Sequence, residues 1–546
     1  MNGRLTRILS SAITFKFLVF TAILVRCGSE VLYLQMDSDY GAQYEAAGNF
    51  LNGHGLANAS VDPASLCEIH YEKLSKWPVM FPLALACIQF LTGNWFMTAW
   101  IIQSLSFILL LFSCLKLFRF LGLSLLAKSM FLVFFILSAS IPYYFGTTDV
   151  LTTALFVWMA YFSLRYLSSE GSGMRWLILI GVLGALNATL RFACIPYILV
   201  FPAFLLLIAW MKMSKRIFFG SVLVICLSSG LAFLFYTLNP IDSTRTSFTE
   251  NLFSFNFYWS NFKWFDAFVV KALFYTVPIE YRLPASISFA IPVYRIALYL
   301  LSLVLFILIF SKYLNWKALK NIVVKHSSET QPAEWQLFLL FVITAVFVVG
   351  FISLQSLTTP PEKNSFGPAW MPPFWTFVYS HRYFAFLVIL VQVFFFVRLN
   401  DQNERFRRSL LFIYGGSVIY SLIFFAWTCS QILLPGGNGG ATFWANEKER
   451  LELYEHITLV EDSKNIVYAS FDLGQKAPIM LFAGAVPCRS YELLLQDSIP
   501  ACPNTILVLQ SPLEHLQSTV EKNFVERNGL QKVLTFKGSV IYQKNF

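Results

Sequence analysis

Two carboxylates, Asp37 and Asp39, stand at i and i+2 in the segment Met36-Asp37-Ser38-Asp39-Tyr40. A long apolar run ends just before them, so they lie where the chain reaches water, followed by amphipathic segments. In a partly desolvated setting, one of two neighbouring carboxylates holds its proton more tightly. A general base needs that property. The same residues also suit a helix terminus, with Asp39 capping a helix over 40–51. Both readings stand at this point.

Other polar residues punctuate the apolar runs. Asp149 opens the fourth run after Gly146-Thr147-Thr148, Arg191 falls where the short fifth run turns into the sixth, and His381-Arg382-Tyr383 begins the tenth. Ionisable groups at membrane depth are costly and mark a functional site where they converge. An arginine fork can engage two phosphate oxygens at once. For Arg191 and Arg382 the competing readings are a headgroup anchor or an interhelical ion pair. Arg26 and Glu30, at i,i+4 in the first run, are expected to pair with each other, and Arg295 to snorkel outward. Asp37, Asp39 and Asp149 offer the oxygen ligands that a hard cation prefers, but their spacing gives no full ligand set. No metal site and no cofactor are therefore expected, with a divalent cation left open.

The elements that must position these residues are membrane spans. Of the 546 residues, 57% are hydrophobic and 13% charged, and mean hydropathy is +0.62. Water is not the main solvent for such a chain. Apolar runs fall at 12–34, 96–118, 129–146, 149–167, 176–191, 193–211, 217–238, 292–311, 335–353, 383–398 and 410–434, each near the length of about 20 residues that crosses a bilayer. Arg4, Arg7 and Lys16 lead into the first run with no small-residue cleavage site before Met36, so it reads as a retained helix. Basic clusters at Arg4/Arg7, Lys116/Arg119/Lys128, Arg165/Arg175, Lys212/Lys215/Arg216, Lys312/Lys317/Lys320/Lys325 and Arg398/Arg405/Arg407/Arg408 occupy every second gap. By the positive-inside rule those gaps are cytoplasmic, the N-terminus is inside and the C-terminus outside. This pattern accounts for the net charge of +10 and leaves no aromatic-interleaved basic face for nucleic acid.

The external loops at 35–95, 239–291 and 354–382 are long. The first is acidic and then amphipathic, and the second is rich in aromatic residues from Phe248 to Phe265, a composition suited to the headgroup level. The first two loops are expected to lie on the membrane. From about Ala441 the composition becomes that of a soluble α/β domain, with a helix over 447–456, strands over 465–470 and 505–510, a capped helix over 511–523 and a hairpin around Lys537-Gly538. The nine cysteines show no zinc or disulfide-framework spacing. Cys488 and Cys502 are a candidate pair in an oxidising compartment.

The stretch from Asp39 to Leu56, with Tyr40, Tyr44, Ala46, Ala47 and the ending Gly53-His54-Gly55, resembles the first external loop of GT-C glycosyltransferases that use polyprenyl-phosphate sugars, the bacterial protein-mannosyltransferase and aminoarabinose-transferase group. Trp77-Pro78-Val79-Met80-Phe81-Pro82-Leu83, Ala188-Thr189-Leu190-Arg191-Phe192-Ala193 and His381-Arg382-Tyr383 are similar to later motifs of that group. The likeness covers 1–210 and, more thinly, 380–390. The Pro-Pro pair of the family is split here, and two aspartates compete for one position. Asp39 fits better by its distance from Ala47 and Gly53, with Asp37 as the alternative.

The resemblance implies an all-α polytopic membrane protein with a GT-C-like body over 1–440, about eleven transmembrane helices and a small external α/β C-terminal domain over 441–546. It implies an inverting transfer of a monosaccharide from a polyprenyl-phosphate donor to a lipid, glycan or protein acceptor outside the bacterial inner or plasma membrane. Asp39 would be the base, Arg191 and Arg382 would hold the donor phosphate, and Asp149, Tyr40, His381 and Tyr383 would line the substrate. The bilayer lipids are partners by the same reading. The alternatives are a lipid or solute transporter, for which internal repeats and midplane charges would be expected, and a polysaccharide ligase or polymerase with a diphosphate-linked donor.

Overall fold

The structure is a computed structural model, and it describes residues 7–33, 38–62, 64–74, 78–137, 148–169, 173–238, 268–274, 290–314, 333–354, 374–400, 404–433, 465–470, 486–488, 493, 498–499, 502–512, 519–536 and 539–545. Helices occupy all eleven apolar runs: α1 (Ala12–Tyr33), α4 (Trp95–Phe120), α5 (Leu125–Leu137), α6 (Asp149–Ser168), α7 (Met174–Leu190), α8 (Val200–Lys212) after a 3-10 helix (Phe192–Leu199), α9 (Lys215–Leu238), α11 (Ala290–Phe310), α12 (Ala333–Leu354), α13 (Phe374–Leu399) and α14 (Glu404–Leu433). Between them come α2 (Ser38–Leu51), β1 (Ala57–Asp62), β2 (Ser65–Lys73), α3 (Met80–Thr92) and α10 (Phe268–Leu273). The chain is an integral, multi-pass membrane protein.

Two compact units result, one of residues 1–32 and 103–425 and the other of 33–102 and 426–546. In the first, lipid offers no hydrophobic drive between helices, so close packing must hold them together. A Cβ placed on Gly181 of α7 would come within 2.7 Å of Leu227 Cβ on α9, which shows how closely those backbones approach. Phe310, Phe341, Phe394, Tyr313 and Phe338 form a ring cluster joining α11, α12 and α13. Arg26, deep in α1, donates from Nε and Nη2 to the Phe135 carbonyl near the end of α5 and lies 5.5 Å from that residue's ring centroid. A cation far from water takes a backbone acceptor here, where the sequence suggested Glu30, whose side chain lies outside the described residues.

Part of the second long loop is buried. Val269, Val270, Ala272 and Leu273 of α10 belong to the main helical core, contrary to the expectation that residues 239–291 all lie on the membrane. A short helix in an apolar core must find partners for its last carbonyls. Gln392 Nε2 of α13 donates to Ala272 O at 2.8 Å, and the Ser417 hydroxyl of α14 donates to Leu273 O. Most of the remainder of that loop, and residues 355–373 of the third, lie outside the described residues.

The second unit is built on a seven-stranded sheet in the order β2-β1-β4-β3-β5-β7-β6, with β3 (Asn465–Ser470), β4 (Val486–Cys488), β5 (Thr505–Pro512), β6 (Gln531–Phe536) and β7 (Ser539–Asn545). The strands β4, β3 and β5 are parallel, the β6/β7 hairpin closes one edge, and the β1/β2 hairpin from the first long loop closes the other. Val61 of β1 pairs in parallel with Cys488 of β4. The tail and the first loop therefore share one sheet and one core, in which Val61, Leu66, Val467, Leu507 and Phe524 are buried. The expected strands at 465–470 and 505–510 and the terminal hairpin are present. The helix expected over 511–523 is instead α15 (Thr519–Arg527), because Ser511 and Pro512 continue β5 by pairing with Val540 and Ser539. The helix expected over 447–456 lies outside the described residues. The disulfide joins Cys67 to Cys502, correcting the expected Cys488–Cys502 pair. Cys488 is buried in the same core. The partner of Cys502 comes from the first loop because the sheet brings that loop to the tail.

Candidate functional site

Helix α2 begins at Ser38, so Asp39 and Tyr40 stand inside its first turn and Asp39 is not its cap. Their side chains, and all of Asp37, lie outside the described residues. A helix N-terminus carries partial positive charge and favours an ionised carboxylate. Toward its other end α2 buries Tyr44, Ala46 and Ala47 completely, with the Tyr44 ring 5.6 Å from Trp95. Burial pushes the Tyr44 phenol above its ordinary proton affinity. The helix is followed by Gly53 at φ +85° and Gly55 at φ +75°. Only glycine takes such angles without strain, which explains the Gly-x-Gly ending and the turn into β1.

Asp149 is the first residue of α6, fully buried, and Arg191 follows the last residue of α7. Pro196 cannot donate to the Phe192 carbonyl and its ring would crowd it, which disfavours an α-helix through this segment. The chain goes extended at Arg191 (φ −153°, ψ 126°) and then tightens into the 3-10 helix. The break lets Arg191 Nη1 reach Asp149 Oδ1 in a salt bridge. Carbonyls near the break take other partners: Ala188 O accepts from the Tyr236 hydroxyl at 2.7 Å, and Arg191 O accepts from Cys194 N at 2.9 Å. The Asp149 carbonyl accepts from the Thr152 and Thr153 hydroxyls at 3.0 and 2.7 Å.

Phe386 of α13 stacks on Phe156 of α6 at 4.4 Å and meets Tyr197 of the 3-10 helix edge-on at 4.5 Å. Arg382 precedes Phe386 by one helical turn. His381, Arg382 and Tyr383 are not at the start of their helix, as the sequence suggested, but in its third turn, since α13 begins at Phe374. The aromatic residues from Phe374 onward are already part of the helix. The side chains of His381, Arg382 and Tyr383 lie outside the described residues. The structure thus joins Asp149 to Arg191 as an ion pair. The neutral residues around the pair, Thr152, Cys194, Tyr197, Tyr236 and Phe386, carry no chemical signal in the sequence and were missed.

Among solved structures, the crystal structure of ArnT from Cupriavidus metallidurans bound to undecaprenyl phosphate is similar to this chain, with a TM-score of 0.53 over 96% of this chain and 97% of that one. The fold is GT-C. At 13% identity the likeness is one of architecture. The apo-state crystal structure of the same protein is also similar, at 12% identity and a TM-score of 0.44 over 98% of each chain. No protein-family model and no curated protein matches the chain. As in the expectation from the sequence motifs, the GT-C body here consists of membrane-spanning helices and is joined to a small α/β unit. The Asp149–Arg191 pair sits at helix ends within this GT-C body.

Proposed function

We propose that the protein is a membrane glycosyltransferase that moves a monosaccharide from a polyprenyl-phosphate carrier to an acceptor hydroxyl on the external face, with inversion at the anomeric carbon. The observation that supports this most is the GT-C likeness over 96% of the chain to a protein crystallised with undecaprenyl phosphate. A polyprenyl chain stays in the bilayer while its phosphate and sugar sit at headgroup level, so catalytic groups belong at helix ends. Asp39 takes the proton of the acceptor hydroxyl as that oxygen attacks the anomeric carbon. The bond to the carrier phosphate breaks, and its electron pair leaves with the phosphate. Such proton transfer contributes about 10²–10⁴-fold.

The leaving phosphate needs no general acid, but it needs fixed positive charge in a site of low dielectric. Arg191 and Arg382 have this role, and Asp149 holds the Arg191 fork until phosphate arrives. Tyr40, His381 and Tyr383 contact sugar or acceptor. The test is purified protein in liposomes with a panel of radiolabelled hexose- and pentose-linked undecaprenyl phosphates. Transfer or release of label, abolished by Asp39→Asn with donor binding kept, agrees with the proposal. Arg191→Ala and Arg382→Ala should weaken donor binding and turnover together. Loss of activity in Asp37→Asn alone moves the base by two residues. No turnover with any donor, alongside solute uptake, favours a transporter.

A further inference from the structure

Helix α2 is fastened to β1 by three side chains whose polar atoms all point across the same gap. Glu45 Oε1 accepts from the backbone N–H of Ala59 at 2.7 Å, and its Oε2 accepts from Asn58 Nδ2 at 3.1 Å. Asn58 Nδ2 also donates to Ala42 O at 3.3 Å, and Asn49 Nδ2 donates to Ala57 O at 2.7 Å. Both oxygens of one carboxylate are thus engaged by the strand that follows its own helix. An ionised acceptor on a backbone N–H makes a stronger bond than a neutral one. That strand is no free hairpin, since β1 pairs with β2 and β4 and Cys67 of β2 is bonded to Cys502. On another face α2 packs against Trp95, whose ring would lie 3.3 Å from a Cβ on Gly48.

We infer that Glu45 is a positioning residue for Asp39: by gripping β1 it fixes the rotation and tilt of α2 against the sheet, and so fixes where the first turn of the helix presents its carboxylate. This rests on the proposed role of Asp39 as base. Asp39 and Glu45 are six residues apart on one helix, about 9 Å along its axis. A helix moves as a rod over that distance, so a rotation released at Glu45 appears at Asp39. The tail sheet then serves transfer as the platform to which the base-bearing helix is anchored, and Glu45 need touch no substrate.

Single-turnover transfer from the radiolabelled undecaprenyl-phosphate sugar that the donor panel identifies separates position from folding. The amplitude reports the folded, competent fraction, and the rate constant reports geometry. For Glu45→Ala the rate constant should fall between about ten- and a hundredfold, the cost of a base displaced by about an ångström, while amplitude and donor affinity stay near wild type. Glu45→Gln, which keeps an acceptor for Ala59 N–H, should recover most of the rate. A wild-type rate constant in Glu45→Ala, or a loss confined to amplitude, overturns the inference and leaves the base in place. Wild-type rates in Asp39→Asn, or no turnover of any donor by the unaltered protein, overturn the underlying reading and the inference with it.

Discussion

Arg191 Nη1 meets Asp149 Oδ1 across the ends of two helices, and both groups are removed from water: the arginine side chain keeps 13% of its exposure and the aspartate none. The pair forms where the chain goes extended at Arg191, just after α7 ends at Leu190, and meets the first residue of α6. Its presence means that any anion drawn to Arg191 meets a guanidinium already held in place by Asp149.

Removing one member of this pair leaves a buried charge alone. Asp149→Ala should destabilise the protein by about 3–5 kcal/mol, and Arg191→Ala similarly, whereas the double change Asp149→Leu/Arg191→Met should recover most of that loss. Thermal unfolding in detergent measures all three. If the double variant is no more stable than either single one, the pair contributes through something other than charge compensation.

Cys67→Ser and Cys502→Ser should each abolish the cross-link between the first loop and the tail, and each should cost about 2–5 kcal/mol in the α/β unit. Cys488→Ser should leave the cross-link intact. Peptide mapping by mass spectrometry without reductant identifies the bonded pair, and limited proteolysis of the tail follows its stability.

Gln392 supplies a hydrogen bond to the Ala272 carbonyl inside the helical core. Gln392→Leu leaves that acceptor without this donor, at an expected cost of about 1–3 kcal/mol. Hydrogen exchange should show faster opening at α10, with the tail sheet unchanged. Equal exchange at α10 in both proteins means another group holds it.

The alternation of basic loops predicts a cytoplasmic N-terminus and an external tail. Protease added to sealed right-side-out vesicles should remove a tag at Phe546 and spare one at Met1. The disulfide agrees with this orientation, since such bonds persist in oxidising compartments. Cleavage at Phe546 only after the membrane is opened reverses the topology and the side on which transfer is proposed.

The helices in the eleven apolar runs were legible in the sequence because an apolar run is a local property, independent of what the helix later packs against; among the described residues five of them are long and apolar enough to cross a bilayer. The strands at 465–470 and 505–510 and the terminal hairpin were legible for the same reason. Asp149 and Arg191 stood out singly, as charges at the ends of apolar runs. Their union was not readable, because it depends on how the extended backbone at Arg191 aims one side chain across to another helix. The Arg26 acceptor was hidden in the same way, since every residue has a carbonyl and only packing selects Phe135. Nor did any local signal join Cys67 to Cys502, which are 435 residues apart. One sequence carries no record of which distant strands pair, and β1 reads as part of a loop until β4 lies beside it. The residue types and the span-length runs were settled by the sequence alone. The sheet shared by loop and tail, the burial of α10 and the grip of Glu45 on β1 were decided by tertiary structure, because each requires backbone groups distant in sequence or orientation to satisfy one another.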